Sequence, residues 1–113
     1  MKNNHISYVE FMTNDLEQTK TFYQQVFGWN FKDYGPTYAS FSESGVFGGF
    51  SHTNEKIVNG TLVVLYHQDL NATIDKIVEA GGIISKDIFS FPGGSRFHFL
   101  DPSGNELAVW SDK

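Results

Sequence analysis

The chain has 113 residues, of which 40% are apolar and 16% aromatic, so it can bury the core of one compact domain. Its formal charge is −5, and this acidity disfavours binding to nucleic acid, which depends on clustered Lys and Arg. The absence of cysteine excludes disulfides and thiolate sites, and no apolar run approaches the ~18 residues of a membrane span, so we expect a cytoplasmic protein that binds no membrane.

The first half of the chain has the pattern of a βαβββ unit. An apolar run from Ile6 to Met12 predicts a strand, and Asn14 with Glu17 has the spacing of a capping box at the start of a helix. That helix is predicted to end at Gly28, because glycine accepts the left-handed conformation common at helix ends. Three short strands are then predicted between turn sequences, at Trp29 to Phe31, Tyr38 to Phe41 and Val46 to Phe50.

The second half of the chain repeats this pattern. The run from Thr61 to Tyr66 predicts a strand, and Asp69-Leu70 opens a helix with apolar residues at helical spacing. This helix is predicted to stop at Gly81-Gly82. Three further strands are predicted, at Ile83 to Phe89, Ser95 to Leu100 and Glu106 to Trp110.

An offset of 54 residues relates the two halves, since it carries Asp15 onto Asp69 and Gly28 onto Gly82. Both helices are therefore predicted to begin and end in register, which indicates an internal duplication. A single unit would expose an apolar sheet face that a second copy can bury. We predict one α+β domain over residues 1–113, with two βαβββ modules (about 5–52 and 60–111) forming a curved sheet around a cleft. The alternative is a ferredoxin-like βαββαβ sheet, which has only four strands, whereas the sequence pattern predicts eight.

Two segments of the chain are similar to the vicinal oxygen chelate superfamily, which includes glyoxalases, bleomycin-resistance proteins and extradiol dioxygenases. The first extends from Tyr8 to Trp29, and the second extends from Phe99 through the turn sequence Asp101-Pro102-Ser103-Gly104-Asn105 to Trp110. The resemblance implies the glyoxalase/bleomycin resistance/dihydroxybiphenyl dioxygenase fold. Within the superfamily the chain is most similar to short bacterial proteins related to lactoylglutathione lyase, but the fold implies no single activity.

The resemblance also implies where a metal would bind, because metal-bearing relatives place His, Gln or Glu on the first and last strands of each module. The corresponding positions here are Tyr8, Gly49, Leu62 and Ala108. A facial site needs about three His or carboxylate donors, so we expect no metal cofactor at the standard site. A displaced divalent metal site stays open as an alternative. The histidines that it could use, none of them at His-x-x-x-His spacing, are His5, His52, His67 and His98.

Strand alternation predicts which side chains face the cleft if those four positions do. It turns Glu10 inward and leaves Val9 and Phe11 beneath the helix. A carboxylate in an aromatic cavity is costly unless it is paired or used in proton transfer, so Glu10 and Glu106 are candidate catalytic residues. For Glu10 the alternative is a buried pair with Arg96 or Tyr66, and for Glu106 it is a solvated position at a strand edge. The predicted ligand-binding residues are Tyr8, Met12, Phe47, Ser51, Leu62, Val64, Tyr66, Ala108 and Trp110.

Two functions fit these features. A binding protein of the drug-resistance type, which sequesters an aromatic or cationic small molecule in a metal-free cleft, is favoured by the missing metal ligands. The alternative is a lyase or isomerase related to lactoylglutathione lyase that uses a carboxylate base, although the sequence offers only Arg96 or tyrosine hydroxyls to stabilise developing negative charge. A structural or protein-interaction module is a third alternative. We also expect a homodimer, because the aromatic content leaves apolar surface to cover.

Overall fold

The computed structural model describes residues 1–102 and 104–113, which form eight strands and two helices. The α+β class with two successive βαβββ modules is confirmed, and the four-stranded ferredoxin-like alternative is wrong. None of the helices among the described residues is long and apolar enough to cross a membrane. The elements are β1 (Ile6–Thr13), α1 (Leu16–Phe27), β2 (Asn30–Asp33), β3 (Tyr38–Ser42), β4 (Gly48–His52), β5 (Thr61–Tyr66), α2 (Leu70–Glu79), β6 (Ile83–Phe91), β7 (Gly94–Leu100) and β8 (Glu106–Ser111).

The chain divides into two compact units. The first module is the continuous segment Tyr8–Leu62, and the second module is Val63–Lys113 together with Met1–Ser7. Backbone hydrogen bonds attach the N-terminal segment to β5: Asn4 N–H donates to the Tyr66 carbonyl at 2.7 Å, and Tyr66 N–H donates to the His5 carbonyl at 3.0 Å. Residues 1–7 thus belong to the second module, which the duplicated sequence pattern does not indicate.

Corresponding strands are neighbours in the two modules. In the first module the order is β2-β3-β4-β1, with β1 parallel to β4 and the remaining pairs antiparallel. In the second module it is β5-β8-β7-β6, with β5 parallel to β8 and the remaining pairs antiparallel. The first and last strands of each module are therefore direct neighbours.

The two helices begin in the same way. Asp15 and Asp69 are the N-cap residues, and each side chain accepts the backbone N–H three residues further on, at 3.0 Å in both cases. The predicted capping box at Asn14 is wrong by one residue, because β1 continues to Thr13 and shifts the cap. The Asn14 side chain instead donates hydrogen bonds to two carbonyl groups in the loop after β4.

The helices end differently. Gly28 follows α1 with a φ of 75°, as predicted, whereas the positive φ of 97° after α2 belongs to Gly81. The predicted equivalence of Gly28 and Gly82 is therefore wrong, because α2 has 10 residues and α1 has 12. The Asp101 to Asn105 turn brings the Asn105 N–H to the Asp101 carboxylate at 2.9 Å; Ser103 within it lies outside the described residues.

The two helices cover sheet faces of different composition. The core beneath α1 is largely aromatic, and that beneath α2 combines aliphatic residues with two phenylalanines. The first consists of Phe11, Leu16, Tyr23, Trp29, Phe31, Ala39, Phe41 and Phe50. The second consists of Leu70, Ile74, Ile77, Ile84, Phe97, Phe99 and Val109. In each module the other face of the sheet, which we call the helix-free face, carries the strand side chains that point away from the helix.

Candidate functional site

The helix-free face of the first module carries a buried carboxylate. Phe11 packs into the core beneath α1, so its neighbour Glu10 points to the opposite face, where it is 5% exposed. The pairing of β1 with β4 places Gly49 beside Glu10 and Ser51 beside Met12. The orientation of Glu10 relative to Phe11 is the one that strand alternation predicts.

Two tyrosines complete what we call the Tyr8–Tyr38–Glu10 cluster. The hydroxyl oxygens of Tyr8 and Tyr38 are 2.6 Å apart. Burial raises the pKa of Tyr38 far above its ordinary value, and the charge of Glu10 and hydrogen bonds with Tyr8 and Glu10 raise it further. The raised pKa keeps Tyr38 a neutral phenol, and its hydroxyl shares a hydrogen bond with Tyr8 in which either oxygen can be the donor.

This cluster fills the space beside Gly49. A Cβ atom at position 49 would lie 2.6 Å from the Tyr38 hydroxyl, 2.8 Å from the Tyr8 hydroxyl and 2.7 Å from the Ala39 carbonyl oxygen. Such distances are shorter than packed interiors allow. Two phenol groups therefore occupy the room that a metal-ligating side chain at position 49 would need.

The four positions at which the resemblance implies metal ligands do not fit a metal. Leu62 and Ala108 are buried apolar residues, Gly49 has no side chain, and the Tyr8 hydroxyl is hydrogen-bonded to Tyr38. A facial site needs about three His or carboxylate donors, which this set lacks. Within residues 1–102 and 104–113, no three His, Asp or Glu side chains lie close enough together to hold a metal ion.

The helix-free face of the second module carries Arg96 and His98. These residues flank Phe97, which packs beneath α2 without exposed surface, so both point to the opposite face. The pairing of β7 with β8 places Arg96 beside Trp110 and His98 beside Ala108. This face thus carries a guanidinium group and an imidazole, whereas that of the first module carries a buried carboxylate.

Aromatic rings surround Arg96. Its guanidinium carbon lies 5.4 Å from the Phe89 ring centre and 5.9 Å from the Phe91 ring centre. The Trp110 ring lies 6.3 Å from Phe91 and 5.4 Å from Tyr66. A guanidinium group over aromatic faces is stabilised by the negative ring centres, so these rings help to hold Arg96 in place.

His98 and Glu106 form a polar contact near the same face. The His98 Nδ1 atom lies 3.3 Å from Glu106 Oε2, which also accepts a hydrogen bond from Ser85 at 3.2 Å. The Glu106 side chain is 49% exposed and that of His98 is 9% exposed. Burial lowers the pKa of His98, and the nearby charge of Arg96 lowers it further. Glu106 is thus a half-exposed residue at the start of β8 that contacts His98 and Ser85.

The other predicted ligand-binding residues differ in exposure. Phe47 is 78% exposed and precedes β4, because that strand begins at Gly48 and not at the predicted Val46. Strand alternation therefore does not orient Phe47 towards a cavity, and the prediction for this residue rests on a wrong strand boundary. Met12 is exposed. Those that are partly or fully buried are Tyr8, Ser51, Leu62, Val64, Tyr66, Ala108 and Trp110.

Sequence reasoning did not select Tyr38 as a site residue, and it named His98 only among the histidines that a displaced metal site could use. Tyr38 joins the first cluster because β3 pairs with β4 and places it opposite Ser51, and this register is not visible in the sequence of either strand. His98 could have been found, because Arg96, His98 and Leu100 alternate with Phe97 and Phe99 in a predicted strand.

Residues 5–109 match a family model described as Glyoxalase/Bleomycin resistance protein/Dioxygenase superfamily. Two proteins named "Putative glyoxylase CFP32", from Mycobacterium bovis and Mycobacterium tuberculosis, are 26% identical over 118 aligned positions, which cover 92% of this chain and 44% of theirs. The chain thus spans less than half the length of these curated relatives.

Solved structures with similar folds include glyoxalases. The Mn(II)-bound glyoxalase from Novosphingobium aromaticivorans has a TM-score of 0.72 at 22% identity, covering 97% of this chain and 39% of that one. A glyoxalase/bleomycin resistance protein/dioxygenase superfamily member from Vibrio splendidus 12B01 has a TM-score of 0.73 at 14% identity, covering 95% and 97% of the two chains. At these identities the likeness shows a common fold.

Proposed function

Because the chain belongs to the glyoxalase/bleomycin resistance protein/dioxygenase superfamily, we propose that it binds a small molecule directly through its own side chains and without a metal ion. The Tyr8–Tyr38–Glu10 cluster is the observation that carries this proposal. It places two phenols in the space that a metal ligand at position 49 would need, and the buried Glu10 lies on the neighbouring strand beside Gly49. Binding of this kind suits a sequestration or resistance protein that acts in the cytoplasm as a homodimer.

The first module's cluster favours a cationic ligand with an aromatic or apolar body. A carboxylate and two phenol oxygens all accept hydrogen bonds, and a charged donor strengthens such a bond about twofold. Glu10 is also largely removed from water, so its electrostatic contribution is less screened than that of a surface carboxylate. The net charge of −5 would further draw a cation towards the protein.

The proposal is tested with matched probes on protein that has been dialysed against a chelator. We expect benzylamine to bind more tightly than benzyl alcohol in calorimetric titration, because only the amine is cationic. Glu10→Gln should weaken benzylamine binding by ~2 kcal/mol or more, which is about thirtyfold, because it removes the charge and keeps the shape of the side chain. Glu79→Gln removes the same charge from the exposed end of α2 and should leave the affinity unchanged.

The outcomes separate this proposal from its alternatives. Equal affinity for the amine and the alcohol would contradict a cationic ligand. Unchanged benzylamine affinity together with a large loss of stability in Glu10→Gln would make Glu10 a structural partner only. Conversion of lactoylglutathione by the chelator-treated protein, lost in Glu10→Gln, would instead favour a lyase with a carboxylate base.

A further inference from the structure

One ring nitrogen of His98 is buried without a hydrogen-bond partner. Its Nε2 atom forms no hydrogen bond with any group in residues 1–102 or 104–113, although the side chain is more than nine-tenths buried. Its other nitrogen, Nδ1, faces Glu106. Buried polar groups in folded proteins almost always have a partner, so the unsatisfied Nε2 atom points to a partner from outside the chain.

The contact with Glu106 determines which nitrogen of His98 carries the proton. An ionised carboxylate can only accept hydrogen bonds, so Nδ1 must be the donor. In the neutral ring Nε2 is then an acceptor. Burial and the charge of Arg96 hold the pKa of His98 below its ordinary value, so the neutral form prevails at neutral pH. The missing partner is therefore a hydrogen-bond donor.

The surroundings of His98 indicate the remainder of that partner. The Phe89 ring centre lies 5.8 Å from the His98 ring centre, and the Lys86 ammonium nitrogen lies over the Phe89 ring at 5.4 Å from its centre. The charges of Arg96 and Lys86 lower the pKa of His98 and would disfavour a cation bound beside it, whereas Glu106 raises that pKa from the Nδ1 side of the ring. The Phe89 ring and the positive charges of Arg96 and Lys86 favour an uncharged aromatic molecule on the Nε2 side.

We propose that the second module binds an aromatic molecule of the phenol class, whose hydroxyl group donates a hydrogen bond to Nε2 of His98. All the residues that carry this inference lie in the second module. It goes beyond the proposed function, because it assigns a different ligand chemistry to a different group of residues from the Tyr8–Tyr38–Glu10 cluster.

The experiment compares phenol with anisole, which has a similar shape but lacks the hydroxyl hydrogen. Long-range proton–nitrogen NMR spectra of the histidine rings at pH 7.5 should show His98 with a protonated Nδ1 and an unprotonated Nε2. Phenol should shift the His98 Nε2 signal in a saturable manner, and anisole should bind at least tenfold more weakly. His98→Asn keeps a donor near Glu106 but lacks Nε2, so it should lose the preference for phenol. His52→Asn, at a partly exposed histidine of the first module, should keep it.

Three results would overturn the inference: equal binding of phenol and anisole, a protonated Nε2 in the free protein, or saturation with phenol without any change at His98. In each case an ordered water would be the simpler partner for Nε2. The wild-type comparison of phenol with anisole remains decisive if His98→Asn fails to fold. Benzylamine binding and its loss in Glu10→Gln report on the proposed function separately, so either proposal can fail while the other stands.

Discussion

In the first module the core beneath the helix is built from stacked and tilted rings, whereas in the second module it is mainly aliphatic. Phe50 lies among four other rings at centroid distances of 5.2 to 6.2 Å. Phe97, which is fully buried, has Phe99 as its ring neighbour at 6.3 Å. Two modules of the same topology thus satisfy the same apolar positions with different residues, as expected when patterning decides the fold and packing adjusts to it.

The helix-free faces differ more than the cores do. The first module presents Glu10 with two tyrosine hydroxyls, and the second presents Arg96 and His98 among aromatic rings. Glu106 also contacts His98, but it is half exposed, whereas Glu10 is buried. The two modules thus share a topology, while the chemical groups on their helix-free faces differ.

The largest expected effect tests whether the two cores contribute equally to the free energy of unfolding. Phe50→Ala and Phe97→Ala should each lower the free energy of unfolding by about 3–5 kcal/mol, because both remove a buried ring and leave a cavity. Urea denaturation followed by circular dichroism measures the change. Phe47→Ala removes the same side chain from an exposed position and should change stability by no more than ~0.5 kcal/mol. A small effect of either buried substitution would show that the corresponding core is loosely packed.

A smaller effect is expected at the helix starts, where the modules are most alike. Asp15→Ala and Asp69→Ala should each cost about 1 kcal/mol, because each removes the side chain that accepts a backbone N–H in the first turn. The matched variants Asp15→Asn and Asp69→Asn keep an acceptor and should lose much less. Markedly unequal costs for the two alanine variants, measured by urea denaturation, would contradict the equivalence of the caps.

The smallest expected effect is a change in the free energy of unfolding with pH, which arises from the second module. The charged groups that face His98 are Glu106 on β8, Arg96 on β7 and Lys86 on β6. Because the folded-state pKa of His98 is lowered, the unfolded chain binds its proton at a higher pH than the folded chain does. The free energy of unfolding should therefore fall as the pH decreases from about 6.5 and level off below the folded-state pKa.

This pH effect can be isolated with His98→Asn. The variant should show a shallower loss of stability than the wild type when urea denaturation is repeated between pH 7.5 and 5. The same slope in both proteins would show that His98 is not responsible for it.

The fold could be predicted from local patterns, and the errors lie where neighbouring residues compete. Asn14 and Asp15 can both cap a helix, and the extension of β1 to Thr13 decides for Asp15. Gly81 and Gly82 can both end a helix, and the earlier end of α2 selects Gly81. The sequence contains both residues of each pair but not the packing that chooses between them.

In the candidate site, the sequence could predict only the orientation of a side chain along its own strand. The orientation of Glu10 away from the helix follows from its position next to Phe11, which packs beneath α1. Tyr38 depends on the register of two strands, and Phe47 was misassigned because Val46-Phe47 resembles the start of a strand in composition. Register and strand ends are set by long-range pairing, which alternation along one segment cannot specify.

The attachment of residues 1–7 to the second module affects the order in which the chain can fold during synthesis. The first module, Tyr8–Leu62, is continuous and has all its strands once the ribosome has passed Leu62. The segment before Tyr8 pairs with Tyr66, and β5 in turn pairs with β8, so both must wait until the later part of the chain emerges. Residues 1–7 are thus synthesised before the first module but reach their final partners after it, and until then they remain available for incorrect pairing.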